Sequence, residues 1–191
     1  MTTHLGRLPY YLAPILCSLV AFTLLTGNTK AAADDTATQT SKVVTVFWGI
    51  VSYTRWPSEK GALRACLPED NKYAAAIRDS ARVVNLGRKI IVRSTPSDVV
   101  SACDVVYFPA RPSGETGSLL RDLKGASAML TIGEGRMFCS AGGMFCLLPD
   151  GKGGNAGDIT ARFAANLDAI SRSLLRINPQ VLRLSKRGRE Q

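Results

Sequence analysis

The residues of this 191-residue chain with most chemistry in them are its cysteines. Cys66, Cys103, Cys139 and Cys146 lie in the body of the sequence, and Cys17 lies in an apolar run near the amino end. An even set of thiols in an oxidising compartment forms disulfides, and four cysteines allow three pairings. Cys139 and Cys146 flank Ala141-Gly142-Gly143, a segment able to bring them together, which leaves Cys66 with Cys103. Zinc is the competing use of thiols. Neither pair has the two-residue gap usual in structural zinc sites, so no metal and no other cofactor is expected.

The first 33 residues supply the compartment. Arg7 is a short positive start, Tyr11 to Leu25 is an apolar run, and Ala31-Ala32-Ala33 has the small residues of a cleavage site. The expectation is a signal peptide over 1–33, cut near Ala33, followed by a flexible leader over 34–41. A retained membrane anchor fits less well, because the run is short for a bilayer and a polar stretch follows it. A lipoprotein signal at Cys17 is disfavoured by the bulky Leu16 before it. Cleavage removes Cys17 and His4, the only histidine.

Without histidine, the exported chain cannot build a Ser-His-Asp or Cys-His arrangement. Catalytic residues are therefore expected to be none. Glu134, Asp158 and Asp168 are candidates for a glycosidase carboxylate pair, but they are scattered and read as caps and surface charge. The loop Gly151-Lys-Gly-Gly-Asn-Ala-Gly157 lacks the Lys-Ser/Thr ending of a phosphate loop. Aromatic residues are few, and Tyr53, Trp56, Phe138 and Phe145 stand out. Each of the two phenylalanines precedes a cysteine of the short pair, so a bonded loop could present them as a rigid contact surface. The competing reading packs both under the loop.

The formal charge of +9 falls to +7 when Arg7 and Lys30 leave with the signal. A basic exported protein meets anionic surfaces or acidic proteins, and no nucleic-acid partner is expected. Part of the excess lies between Arg183 and Glu190 and runs into a basic tail at 188–191, suited to weak membrane-surface contact.

Residues 42–187 suit one domain with a sizeable core. Lys42 to Tyr53 is apolar at too many positions for a narrow stripe and reads as a helix buried on several sides, stopped by Pro57. Strands are predicted at Leu63–Leu67, Lys89–Arg93, Asp104–Phe108 and Ala128–Ile132. Helices are predicted from an Asp70 cap to Val83, at Ser97–Ala102 as a short helix or turn, and at Ser118–Lys124. This alternation gives parallel strands joined by right-handed crossovers. Met144–Leu148 and Ile159–Phe163 then read as an antiparallel pair around a glycine-rich loop, and Asn166–Leu175 as a helix with Leu167, Ile170 and Leu174 on one side. Asn178 caps a final short helix with Pro179 at its first position. The fold class is α/β: a single domain, a mixed, mostly parallel sheet with helices on both faces, and a C-terminal antiparallel strand pair.

Two segments carry a family resemblance: Gly49-Ile-Val-Ser-Tyr-Thr-Arg-Trp-Pro57, and Arg162-Phe-Ala-Ala-Asn-Leu-Asp-Ala-Ile-Ser-Arg-Ser173 continuing to Asn178-Pro-Gln-Val-Leu182. From Lys42 to about Lys186 the chain resembles the YfiR family of periplasmic regulators, including cysteines at the places of Cys66, Cys103, Cys139 and Cys146. The resemblance implies a periplasmic repressor of the inner-membrane diguanylate cyclase YfiN, itself sequestered by the outer-membrane lipoprotein YfiB. It also implies a homodimer, disulfides tied to folding and redox response, and control of cyclic di-GMP, biofilm, exopolysaccharide and motility. The expected partner or ligand surface comprises Tyr53, Arg55, Trp56, Phe138, Phe145, Arg162, Asn166 and Asp168. The alternative from another class is a periplasmic small-molecule sensor with its ligand near the strand ends, lined by Tyr53, Arg55 and Trp56. An exported enzyme is a third reading.

Overall fold

The computed structural model describes residues 28–59, 61–123, 128–149 and 159–187. The apolar run and most of the expected signal, the loop 150–158 with Asp158, and the tail 188–191 lie outside the described residues. The chain divides into two compact units, Met1–Thr38 and Gln39–Gln191, and every residue discussed for function belongs to the second.

In chain order the elements are the helix Asn28–Ser52 (α1), the strands Thr54–Arg55 (β1) and Leu63–Leu67 (β2), the helix Ala74–Ser80 (α2), and the strand Ile90–Ser94 (β3). Next come Val99–Ala102 (α3), Val105–Phe108 (β4), Ser113–Asp122 (α4), Leu130–Glu134 (β5), Arg136–Ser140 (α5), Phe145–Pro149 (β6) and Ile159–Ala165 (β7). The chain ends in Leu167–Ser171 (α6), Arg176–Ile177 (β8), a 3-10 turn at Pro179–Arg183 and Leu184–Arg187 (α7). Six strands form one sheet in the order β3-β2-β4-β5-β6-β7. The first five run parallel, and β7 is antiparallel to β6, pairing Cys146 with Ala164 and Leu147 with Phe163. β1 and β8 form a separate two-stranded antiparallel sheet.

Strand side chains alternate between two faces. Ala65, Leu67, Val105, Tyr107, Leu130, Ile132, Phe145 and Leu147 join the larger cluster with Val43, Val46, Phe47, Ile50 and Val51 of α1 and with Ala74 and Ile77 of α2. Cys66, Val106, Phe108 and Cys146 point the other way, into a much smaller cluster with Cys103, Met129 and Phe138. The positions 43, 46, 47, 50 and 51 are one helical face, and Trp48 is buried as well, its indole donating to Ser80 Oγ at 2.8 Å. This explains why the run reads as apolar on several sides.

Several sequence expectations shift. The first helix starts at Asn28 rather than near Lys42, so residues 34–41, read as a flexible leader, are helical; alanine at 31, 32, 33 and 37 favours that. Asp70 does not cap α2: Asn71 Oδ1 accepts from the Tyr73 amide at 2.8 Å, and the helix begins at Ala74. The strand read at Lys89–Arg93 runs from Ile90 to Ser94 and is only half-buried, because it is the edge next to β2. α4 starts at Ser113, a turn or more early, since Gly114 and Gly117 hide its period. α6 stops at Ser171, leaving Leu167 and Leu174 exposed while Ala169 and Leu175 take the core positions. Asn178 does cap its turn, accepting from the Gln180 amide at 2.9 Å, with Pro179 first.

Candidate functional site

Both disulfides lie on the face with the smaller cluster. Cys66 of β2 bonds Cys103, just past α3, with Cα atoms 5.9 Å apart across a sequence separation of 37. Cys139 of α5 bonds Cys146 of β6 across a separation of 7, with Cα atoms 5.6 Å apart. Each bond ties a helix, or the residue just after one, to a sheet strand where apolar burial is least. Asn166 supports the second: its Nδ2 donates to the Cys139 carbonyl at 2.8 Å, and its Oδ1 accepts from the Ala169 amide at 3.1 Å as the cap of α6.

Phe138 and Phe145, expected on a contact surface, are core residues, at 2 % and 0 % exposure. The Phe138 ring packs 5.2 Å from that of Phe108 and fits against Gly133 and Gly143, where an added Cβ would come within 2.5 and 2.1 Å of it. Phe145 faces the larger cluster and meets Phe163 edge-on. Period-two alternation sends Phe145 and Cys146 to opposite faces, whereas Phe138 packs into the smaller cluster together with Cys146.

Tyr53, Arg55 and Trp56 share a corner around the small sheet. Arg55 is exposed; its NH1 donates to the Ser52 carbonyl at 2.9 Å, and it faces Glu59 at 3.8 Å. Trp56 Nε1 donates to the Asp104 carbonyl at 3.3 Å, and the Arg88 guanidinium lies 5.8 Å from its ring centroid. Asp104 precedes β4, so this corner is at the amino ends of the parallel strands. The small-molecule reading placed these residues near ligand-binding strand ends; the corner is opposite the carboxyl ends that open α/β sheets use.

Arg64 grips Asp104 with two side-chain bonds, NH2 to Oδ1 at 2.8 Å and Nε to Oδ2 at 3.1 Å, while the Arg64 amide also donates to Oδ2. Burial pushes the Asp104 carboxyl up, but the bonds from Arg64 and the charges of Arg64 and Arg88 outweigh it and hold the group below its ordinary value. A depressed carboxyl stabilises the fold above its unfolded value and loses that contribution as pH falls through the folded one. Urea unfolding of wild type and Asp104→Asn is therefore expected to differ fully at neutral pH and to converge as pH drops below about 4. A gap that widens on acidification contradicts this.

At the other end of the strands is a carboxylate whose burial the sequence did not announce. Glu134, at the end of β5, is only 9 % exposed. Its Oε1 accepts from Tyr107 OH at 2.8 Å and Asn71 Nδ2 at 3.2 Å, and its Oε2 accepts from the Ala110 amide at 3.3 Å. Burial, then the Glu134 charge and hydrogen bond, raise the Tyr107 phenol well above its ordinary value, so it stays protonated and donates. The network stitches together the loops after β2, β4 and β5. Tyr107→Phe is expected to cost about 1.5–3 kcal/mol in urea unfolding, as a lost bond to a charged group; an unchanged midpoint contradicts that. Glu134 was read as cap or surface charge; the usable signal was an acid directly after the apolar strand run Leu130-Thr-Ile-Gly.

The remaining candidates are on β7 and α6. Arg162 is half-buried on β7. Asp168 is exposed in the first turn of α6 and pairs with Arg172 one turn on. Among the described residues no group of three or more His, Cys, Asp or Glu side chains could hold a metal ion, and no helix is long and apolar enough to cross a membrane.

The match that decides relationship covers almost the whole second unit: the sequence fits the YfiR/HmsC-like family over residues 41–186. The chain belongs to the YfiR/HmsC-like family. Both disulfides, the mixed sheet and the β1–β8 corner fall inside the matched YfiR/HmsC-like region. The two sequence segments that resembled YfiR correspond to the end of α1 with β1, and to β7 through the turn at Pro179–Arg183; these build the corner and support the short disulfide.

Proposed function

We propose that this protein is an exported, non-enzymatic repressor that binds the periplasmic sensor part of a YfiN-like inner-membrane diguanylate cyclase and lowers cyclic di-GMP output. The observation that carries the reading is membership of the YfiR/HmsC-like family across the folded domain. Two disulfides support an oxidising, periplasmic address reached through the amino-terminal signal. Repression by binding needs no catalytic group; it needs higher affinity for one state of the cyclase, since a partner that binds both states equally shifts nothing. A YfiB-like lipoprotein competes for the repressor, a homodimer is the working form, and the basic tail adds weak contact with the membrane surface.

On this reading the partner surface is built around the exposed Arg55, with half-buried Tyr53 and Trp56 beside it, and takes in Arg162 and the exposed Asp168. Affinity capture of the tagged protein from detergent-solubilised membranes, without reductant, is expected to retain the cyclase. Absence of the cyclase from captures that hold folded, oxidised repressor would contradict direct binding. Arg55→Glu is expected to weaken capture about tenfold, the scale of reversing an interfacial charge, while leaving stability within about 0.5 kcal/mol as for exposed sites. Wild-type capture by this variant removes Arg55 from the contact.

A further inference from the structure

A cleft of about 670 Å³ opens between α3 and α4, over the carboxyl end of β4. That is the size of small-molecule sites. It also lies where strand order reverses: β2 leads by way of α2 to β3 on one side, while β4 lies on the other side of β2. Open α/β sheets hold ligands outside the carboxyl ends of strands at such a reversal.

The lining has two characters. Val106 and Phe108 of β4 form an apolar base, and Val100 and Leu119 extend it up the two walls. These last two are 44 % and 38 % exposed, although each faces a concave surface suited to covering it. The acidic residues Glu69, Asp98 and Asp122 line the same cleft, Glu69 accepting from the Ser94 hydroxyl. One cation, Arg111, lines it too, so the acidic side chains outnumber the basic ones three to one; its NH1 lies 3.5 Å from Glu115, outside the lining. Asp98 accepts from the Ser101 hydroxyl and amide, which hold its carboxyl below the ordinary value and keep it anionic. An acidic cleft on a chain of formal charge +9 runs against the overall field and favours cations locally.

We propose that this cleft binds a small organic cation, an amine or quaternary ammonium carried on an aromatic or alkyl body. The apolar body covers Val100, Leu119 and Phe108, and the cationic head meets Glu69, Asp98 and Asp122. The ligand's affinity therefore depends on the sign of its charge and not on hydrophobicity alone. The site is independent of the cyclase reading, since neither the corner at Arg55 nor any partner protein contributes to it.

The test titrates the oxidised protein, purified from the periplasm, with phenethylamine, 2-phenylethanol and phenylacetate while amide NMR shifts are recorded. Phenethylamine is expected to bind saturably with shifts centred on Val100 and Leu119, the alcohol at least about fivefold more weakly, and phenylacetate not measurably, as charge sign dictates. Glu69→Gln/Asp122→Asn is expected to weaken phenethylamine at least about fivefold on the same grounds. Val100→Lys, which puts a cation into the wall, abolishes binding while the spectrum stays that of a folded protein. Equal binding of phenylacetate, no saturable binding of phenethylamine, or unchanged affinity in both variants overturns the proposal. Cyclase capture is a separate measurement and can fail or succeed without altering this result.

Discussion

Replacing Cys66 and Cys103 together by alanine is expected to lower stability by about 4 kcal/mol, from the loop entropy released over a 37-residue separation. At about 2–4 °C per kcal/mol for a domain of this size, the melting temperature falls by roughly 10 °C. The same estimate for Cys139 and Cys146, separated by 7, is nearer to about 2.5 kcal/mol. The ranking follows from the unfolded chain, where the longer bond removes more freedom. Position reinforces it. Cys66 and Cys103 are 0 % and 3 % exposed within the smaller cluster, where few apolar neighbours can make up the loss. Melting of the two double variants, measured by circular dichroism without reductant, checks the order. A larger drop for the short pair, or none for the long pair, contradicts it.

The second large effect is at Phe138. Phe138→Ala removes a ring from the smaller cluster and is expected to cost about 3–5 kcal/mol, the usual range for aromatic truncation in a core. Filling the space from the other side is also costly: Gly143→Val puts atoms where a Cβ alone already lies 2.1 Å from the ring, and about 1–3 kcal/mol or more is expected. Urea midpoints should fall in both variants with little change in slope, since the same surface is exposed on unfolding. Because α5 carries both Phe138 and Cys139, a displaced ring also loosens the helix that holds the short disulfide. Both variants should lose the Cys139–Cys146 bond to dithiothreitol faster than wild type. A wild-type midpoint with a wild-type reduction rate would place Phe138 outside the core.

Much of the frame was legible in the sequence because burial imposes a period. Strands of four or five residues such as Leu63–Leu67 and Val105–Phe108 were bounded by clear breakers, and their alternation with helices dictated a parallel sheet. The helix of Val43 to Val51 was legible because its apolar excess exceeds one stripe. The mixed sheet followed from two apolar runs around a glycine-rich segment. Short elements escaped: β1 and β8 have two residues each, too few for any pattern, and α5 has five, little more than one helical turn.

The site was less legible, for a physical reason. A chemically active side chain is judged from sequence by its type, whereas its role depends on which face it takes. Phe145 and Cys146 are neighbours in sequence and occupy opposite sides of the sheet. Glu134 carries a carboxylate, yet three donors from residues 24 to 63 positions away make it a structural hub. Trp56 belongs with Asp104 and Arg88, contacts across 48 and 32 residues that no local window contains. Asn166 shows the same limit: expected on a partner surface, it is half-buried and bonded to the backbone of Cys139.

The central claim concerns repression of a cyclase, and intracellular cyclic di-GMP measures it most directly. Nucleotide is extracted and quantified from wild type, from a strain lacking this gene, and from a strain lacking both this gene and the YfiN-like cyclase. Repression by this protein predicts a rise in the single deletion and a return to the wild-type level or below in the double. An unchanged level in the single deletion, in cells that express the cyclase, or a rise that persists when the cyclase is also removed, contradicts it.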